Sequence, residues 1–151
     1  MKNIVFKNCD CIRNTHAALD ARAGWGGHIH HVLFENINVE LHADYQKSVR
    51  QRDGDDGHIY DPKESKYKVP AVMYADDKNF AGVEAGKVSD ITFKDIHVIA
   101  DEGVPKPEVT FLSLNGGVKD IYVSGVYYNG ERQTDLSRFD TEKCNVEPIF
   151  S

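Results

Sequence analysis

The stretch Val88-Ser-Asp-Ile-Thr-Phe-Lys-Asp-Ile-His-Val-Ile99 decides the fold, because three other stretches of the chain follow the same pattern. They begin at Met1, Ile29 and Val118. When the four copies are aligned, apolar residues fall into shared columns with polar residues between them. The columns are Ile4, Val32, Ile91 and Ile121; Phe6, Phe34, Phe93 and Val123; Cys9, Ile37, Ile96 and Val126; and Cys11, Val39, Val98 and Tyr128. A repeat of this kind is the sequence signature of an architecture built by stacking equivalent units.

Each copy contains two short runs of alternating polarity, which is the pattern of a β-strand with one buried face. The runs are separated by residues that tolerate a left-handed backbone, namely Asn8, Asn36, Asp95 and Gly125. Successive copies begin 28, 59 and 30 residues apart. The middle interval therefore holds either two periods or one period and an insertion, and the stretch 42–70 has the composition of a loop.

Two or three short strands per period of roughly 30 residues are typical of a parallel β-helix, in which each coil stacks on the next. We predict one all-β domain over residues 1–151, with about four to five coils, a loop insertion at 42–70 and a C-terminal tail at 131–151. The alternative is a β-sandwich, which does not require matching residue columns. Met1 aligns inside the repeat, so we expect a β-helix truncated on its N-terminal side.

Composition and charge exclude several classes of protein. The net charge of -6 argues against nucleic acid or an anionic membrane as a partner. No apolar stretch approaches the length of a membrane span, and the N-terminal residues enter a strand pattern directly, which predicts no signal peptide. Cys9 and Cys11 stand in apolar columns, which predicts buried thiols. A disulfide between them is not expected, because residues two apart in one strand are poorly placed to form one.

The order of motifs resembles that of the family 28 glycoside hydrolases, the polygalacturonases and related pectin-degrading enzymes. In that family a Gly-Ile-Arg-Ile-Lys strand is followed by a glycine-rich turn and an Ile-x-Phe-x-Asn-Ile strand pair. Here the stretches 18–22, 24–27 and 32–37 occupy that order, and 70–74 is similar to the family's next strand. The Cys-Asn-Val ending at 144–146 is similar to the family's terminal Cys-x-Asn-Val. The resemblance implies a right-handed parallel β-helix and covers only the last third or so of the family's fold.

The chain departs from the family where the chemistry lies. The family's catalytic aspartates and its Gly-His-Gly histidine precede the Arg-Ile-Lys strand, and no matching motifs precede that position here. The family's lysine position is held by Arg22, and its arginine position by Asp20. The resemblance implies that the family's basic pair binds the carboxylate of a uronate sugar. Because one cation remains beside an acid, a neutral or less acidic glycan is the better match.

Glycoside hydrolysis requires two positioned carboxyl groups, and Asp20 and Asp76 are the weak catalytic candidates of this chain. Each has a simpler interpretation. Asp20 is expected to form a salt bridge with Arg22 on the same strand face. The pair Asp76-Asp77 resembles the family's paired acids but follows the basic strand, which favours an ordinary solvated turn.

The remaining candidates surround the glycine-rich turn 24–27. Trp25 in that turn either stacks on a sugar ring or anchors the loop. His28, His30 and His31 are dense enough to suggest a metal, but adjacent strand residues point to opposite faces, so we predict no metal and no cofactor. The predicted substrate-binding set is therefore Arg22, Asp20, Trp25, His28 and Tyr74.

Two functions are compatible with these residues. In the first, the chain is the C-terminal part of a polygalacturonase-like hydrolase and contributes part of a carbohydrate-binding cleft, without activity of its own. In the second, it is a non-enzymatic carbohydrate-binding or structural β-helix module. The partner in either case is an oligo- or polysaccharide, and the family resemblance implies a secreted or periplasmic location. We also expect self-association, or a partner chain, at the N-terminal coil, where the first apolar residues lack an upstream neighbour.

Overall fold

The structure is a computed structural model, and it describes residues 1–14, 17–43, 50–51, 60–61, 71–77 and 84–151. The described residues form an all-β protein in which no helix occurs. The strands are β1 (Lys2–Cys11), β2 (Leu19–Ala23), β3 (His28–Leu41), β4 (Arg50–Gln51), β5 (Tyr60–Asp61), β6 (Ala71–Asp77), β7 (Lys87–Ala100), β8 (Glu108–Leu112), β9 (Val118–Tyr128), β10 (Glu131–Gln133) and β11 (Ile149–Phe150).

Two parallel sheets contain the main strands, and the chain alternates between them. The longer sheet has the order β1-β3-β7-β9, and the shorter sheet has the order β2-β6-β8. All neighbours within these two series are parallel. The prediction of an all-β chain with parallel strands is therefore confirmed, and an antiparallel β-sandwich is not the arrangement observed.

The register of the longer sheet confirms the residue columns read from the sequence. Ile4 pairs with Val32, Val32 with Ile91, and Ile91 with Ile121. The three other columns pair in the same way. Because β3 pairs directly with β7, the 59-residue interval is one period plus an insertion. Side chains of one type thus stack on their equivalents, as in the phenylalanine ladder of Phe6, Phe34 and Phe93, whose successive ring centroids lie 5.1 and 5.2 Å apart.

Residues with positive φ mark the bends in the long strands. Asn8, Asn36, Asp95 and Gly125 all have φ between 52° and 72°, as their positions between the strand runs predict. A second column of such residues, which the sequence analysis missed, consists of Asn3, His31, Asp90 and Asp120. Each left-handed residue shifts the in–out alternation by one position. Consequently Phe34 and Ile37, three residues apart, are both buried in the same core.

The two edges of the longer sheet differ. On one side β9 is covered by β10, which is antiparallel to it, and by β11, which is parallel to it. On the other side β1 pairs with β3 alone among the described strands, and it is largely exposed. Cys9, predicted to be buried, is exposed because it lies on this edge strand, and Cys11 is half-buried. Burial, followed by the nearby Cys9 and Asp10, raises the pKa of the Cys11 thiol.

The predicted loop insertion and tail flank this two-sheet body. Of the insertion at 42–70, the described residues are 42–43 and the strands β4 and β5, which pair antiparallel to each other. The tail at 131–151 returns to both sheets. Asp140 bridges to Glu108, and the backbone N–H of Asn145 donates to the carbonyl of Phe111 at 3.0 Å.

Candidate functional site

The outward face of the shorter sheet brings four of the predicted site residues together. In β2 the side chains of Leu19, Ala21 and Ala23 are buried in the core, so the intervening Asp20 and Arg22 point away from it. Register then sets Asp20 beside Tyr74 and Arg22 beside Asp76 of β6. One polar cluster across two strands therefore joins two pairs that are distant in sequence, Asp20 with Arg22 and Tyr74 with Asp76.

Arg22 is the centre of this cluster. Its Nε donates a hydrogen bond to Asp20 Oδ1 at 2.7 Å, and its second terminal nitrogen donates to Asp20 Oδ2, so the pair is bidentate. The guanidinium carbon also lies 4.8 Å from the centre of the Tyr74 ring, within the range of a cation–π contact. The salt bridge expected between Asp20 and Arg22 is therefore present, and Arg22 is held between an acid and an aromatic ring.

Asp76 and Asp77 do not belong to a solvated turn, and that interpretation was wrong. Both residues lie in strand β6, and their exposed fractions are 4% and 0%. All seven residues of β6 are buried, so both faces of this strand are covered. Asp76 accepts a hydrogen bond from the Tyr74 hydroxyl at 3.3 Å. A polar-looking Asp-Asp pair in sequence is thus an internal structural feature.

Asp77 organises the loop that follows β8. Its carboxylate accepts hydrogen bonds from the backbone N–H groups of Leu114, Asn115 and Gly117 at 2.5 to 3.2 Å, and from the Ser113 hydroxyl at 2.9 Å. Burial alone would raise the pKa of Asp77. The four donors outweigh burial, so the pKa of this carboxyl is lowered from its ordinary value.

Trp25 occupies a strained position in the turn that follows β2. It has φ of +59°, the next residue Gly26 has φ of +69°, and the Gly27 N–H donates to the Gly24 carbonyl at 2.9 Å. Two positive φ values and this hydrogen bond define a type I′ turn. Bulky residues rarely adopt left-handed backbone, yet Trp25 does so and leaves 71% of its surface exposed. A large aromatic ring is thus presented to solvent at an energetic cost.

His28 contacts residues of β3 and β7 rather than the Arg22 cluster. Its Nε2 is 3.1 Å from Ser89 Oγ, its ring centroid is 4.4 Å from that of His30, and it lines a separate groove at the start of β3. His31 pairs instead with Asp90 at 3.2 Å. Among the described residues, no three histidine, cysteine, aspartate or glutamate side chains are arranged to hold a metal ion.

The polar face continues onto the third strand of the shorter sheet, β8. Thr110 of β8 pairs with Tyr74, which extends the row that begins at Asp20. Its hydroxyl donates to Glu108 Oε1 at 2.7 Å, and Glu108 Oε2 accepts from Lys143 at 2.5 Å. The sequence of β8 has no alternation that fixes which side chains face outward, so these contacts could be located only from the strand register.

Comparison with models of known protein families, with curated proteins and with solved structures found no match. In the part of the chain that the structure describes, no helix is long and apolar enough to cross a membrane.

Proposed function

We propose that the two parallel sheets are faces of a right-handed parallel β-helix. Three features support this architecture. The chain alternates between the sheets, equivalent residues stack in register, and left-handed residues recur at fixed positions between strand segments. The handedness is supported by the general preference of parallel crossover connections for a right-handed path. This architecture agrees with the resemblance to family 28 glycoside hydrolases, which stays a proposal.

We propose that the chain binds a neutral oligo- or polysaccharide on the face that carries Asp20, Arg22 and Trp25. The observation that carries this proposal is the pairing of a bidentate Asp20–Arg22 unit with an exposed, strained aromatic ring in the adjoining turn. A pair in which Arg22 donates and Asp20 accepts suits sugar hydroxyls, and an exposed indole suits the apolar face of a sugar ring. The buried Tyr74 of the neighbouring strand holds Arg22 through the cation–π contact.

The charge of the cluster favours a neutral glycan over a uronate. Arg22 already donates two hydrogen bonds to Asp20, and Asp76 stands beside it in register. The Arg22 cation is therefore already paired with a carboxylate, and the cluster offers little net attraction to a sugar carboxylate. The polysaccharide expected from the family's main substrate class is thus a weaker ligand than a neutral polymer in this proposal.

The same geometry argues against hydrolysis by Asp20 and Asp76. A glycosidase needs two carboxyl groups that reach the bond from opposite sides. Asp76 is buried and hydrogen-bonded to Tyr74, so it does not reach a bound sugar. Both carboxylate oxygens of Asp20 already accept hydrogen bonds from Arg22. We propose binding without catalysis, either as one part of a hydrolase cleft or as a binding module.

A glycan-binding screen tests this proposal. Neutral polysaccharides and polygalacturonate are immobilised in parallel and probed with the wild-type protein and with Arg22→Ala. We expect retention on at least one neutral polymer, weaker retention on polygalacturonate, and loss of binding in Arg22→Ala. Arg22→Lys, which keeps the charge but not the bidentate geometry, is expected to bind weakly. Preferential binding to polygalacturonate that survives Arg22→Ala would overturn the proposal.

We also propose that β1 is an interface with a second copy of this chain. Val5 and Phe6 are 61% and 46% exposed, and the Phe6 ring stacks on Phe34 with the ring centroids 5.1 Å apart. An antiparallel β1 of a second copy, paired Phe6 to Phe6, sets Lys2 of each copy opposite Asp10 of the other. The opposite edge of the sheet is covered by β10 and β11, which favours a closed dimer over an open filament.

A further inference from the structure

A groove of about 560 Å³ opens where the chain enters β3, β7 and β9, and its described lining includes neither Arg22 nor Trp25. Register gathers its polar side chains. His28 pairs with Lys87, and Ser89 pairs with Lys119, so residues from three strands meet along one wall. The His28 ring and the Ser89 hydroxyl are 3.1 Å apart, and both line the groove.

The floor of the groove is fixed by backbone. Gly86 and Gly117 lie there, and a Cβ on Gly117 would come within 2.5 Å of the Gly86 carbonyl oxygen. The loop that contains Gly117 is held by the buried Asp77 carboxylate through the hydrogen bonds described above. The side chains of the groove therefore stand on a rigid base, which lowers the entropic cost of binding a ligand.

The groove is locally basic in a chain whose net charge is -6. Lys87 and Lys119 face one acid, Glu84, among the described lining residues.

We propose that this groove binds a tetrahedral oxyanion, a sulfate or a phosphate group, either free or carried as an ester on a sugar. Two lysines act as point charges on such a group, while His28 and Ser89 are within reach of each other to supply hydrogen bonds. The described lining contains no arginine, the side chain that suits planar carboxylates through a bidentate fork. The site does not depend on the glycan-binding face around Arg22.

The experiment is an NMR titration of the wild-type protein at constant ionic strength with sodium sulfate, sodium phosphate, glucose 6-sulfate and glucose. We expect saturable shifts of the amides of Lys87, Ser89 and Lys119 with the anions and none with glucose. The double substitution Lys87→Gln and Lys119→Gln is expected to weaken anion binding at least about tenfold. Tighter binding of glucose 6-sulfate than of sulfate would identify the ester as the preferred form, and equal binding would identify the free anion.

The matched control removes two positive charges elsewhere, with Lys106→Gln and Arg132→Gln. It is expected to bind the anions like the wild type, which separates the groove from a general effect of net charge. Arg22→Ala is also expected to keep anion binding. The anion-binding result can therefore be interpreted even if the proposed glycan binding fails. Absence of saturable shifts with any anion, or equal binding by the groove variant and the wild type, would overturn the proposal.

Discussion

At the scale of single residues, the proposed glycan site depends most on Trp25. A left-handed backbone costs a non-glycine residue about 1–2 kcal/mol, and asparagine and glycine bear that cost more easily. Trp25 occupies such a position and is mostly exposed. Strain of this kind that persists at an exposed position is the pattern expected when the side chain has a use outside the fold. The sequence placed Trp25 in a glycine-rich turn but left binding and loop anchoring as equal alternatives.

Trp25→Asn is predicted to stabilise the fold and to weaken binding. Asparagine is preferred in type I′ turns, so the free energy of unfolding is expected to rise by about 0.5–1 kcal/mol in denaturant titration. Loss of the indole is expected to weaken binding of the neutral glycan about tenfold. Trp25→Phe, which keeps an aromatic ring and the strain, is the control. A variant that loses stability while keeping full affinity would assign Trp25 to loop anchoring.

Asp77→Asn is predicted to destabilise the protein by about 1–3 kcal/mol at neutral pH. It replaces a buried carboxylate that accepts four hydrogen bonds with an amide that cannot accept all of them. The folded pKa of Asp77 is lowered below its ordinary value of 3.8, so its contribution is present above that value and is lost as the pH falls through the folded pKa. Denaturation at a series of pH values checks this. The difference between wild type and variant should shrink below about pH 4, and a constant difference would contradict the account.

At the scale of strands, side chains pair along columns outside the core as well as inside it. Glu35 of β3 lies between Lys7 of β1 and Lys94 of β7, at 2.9 and 2.7 Å. Asn36 donates to Asn8 at 2.7 Å in the neighbouring column. These rows exist because parallel strands in register put equivalent positions side by side. They tie β1 to the sheet although most of β1 is exposed.

The hydrogen bond from Lys94, then that from Lys7, lowers the pKa of Glu35 to about 2. The contribution of Glu35 to stability is therefore present above its ordinary pKa of 4.5 and is lost as the pH falls through about 2. NMR titration of the Glu35 carboxyl is expected to give this low value. In Lys94→Gln the pKa of Glu35 should move toward 4.5, whereas in Lys106→Gln it should stay low. An ordinary pKa of Glu35 in the wild type would show that the Lys7–Glu35–Lys94 row does not form in solution.

The strands also show which parts of the structure the sequence could predict. The core columns and the left-handed positions Asn8, Asn36, Asp95 and Gly125 were predictable because their residue types recur in each copy. The facing of β6 was not, because residues buried on both faces leave no alternation to read. The prediction of a solvated turn at Asp76-Asp77 was wrong because an acidic residue type does not reveal that loop amides satisfy a buried carboxylate. The groove where β3, β7 and β9 begin depends on the register between these strands. The residue columns implied that register, but they did not show that Lys87, Ser89 and Lys119 lie near His28.

At the scale of the whole molecule, the two sheet edges differ, and association is predicted at the exposed one. Val5→Lys puts a charge into β1 and is expected to raise the dimer dissociation constant at least about tenfold. Ile99→Lys, at an apolar side chain that is 50% exposed on β7, is the control and should leave the dimer intact. Analytical ultracentrifugation at micromolar concentrations measures both. A monomeric wild type would contradict the dimer proposal.

The central claim is that the chain binds a neutral glycan at Asp20, Arg22 and Trp25 without cleaving it. The most direct measurement is an NMR titration with a neutral oligosaccharide chosen by the screen, followed by an assay for reducing ends in the same sample. The account predicts shifts of the Trp25 indole N–H and the Arg22 side-chain Nε–H, together with an unchanged oligosaccharide. Shifts confined to other parts of the molecule, or release of new reducing ends by the purified chain, would contradict it.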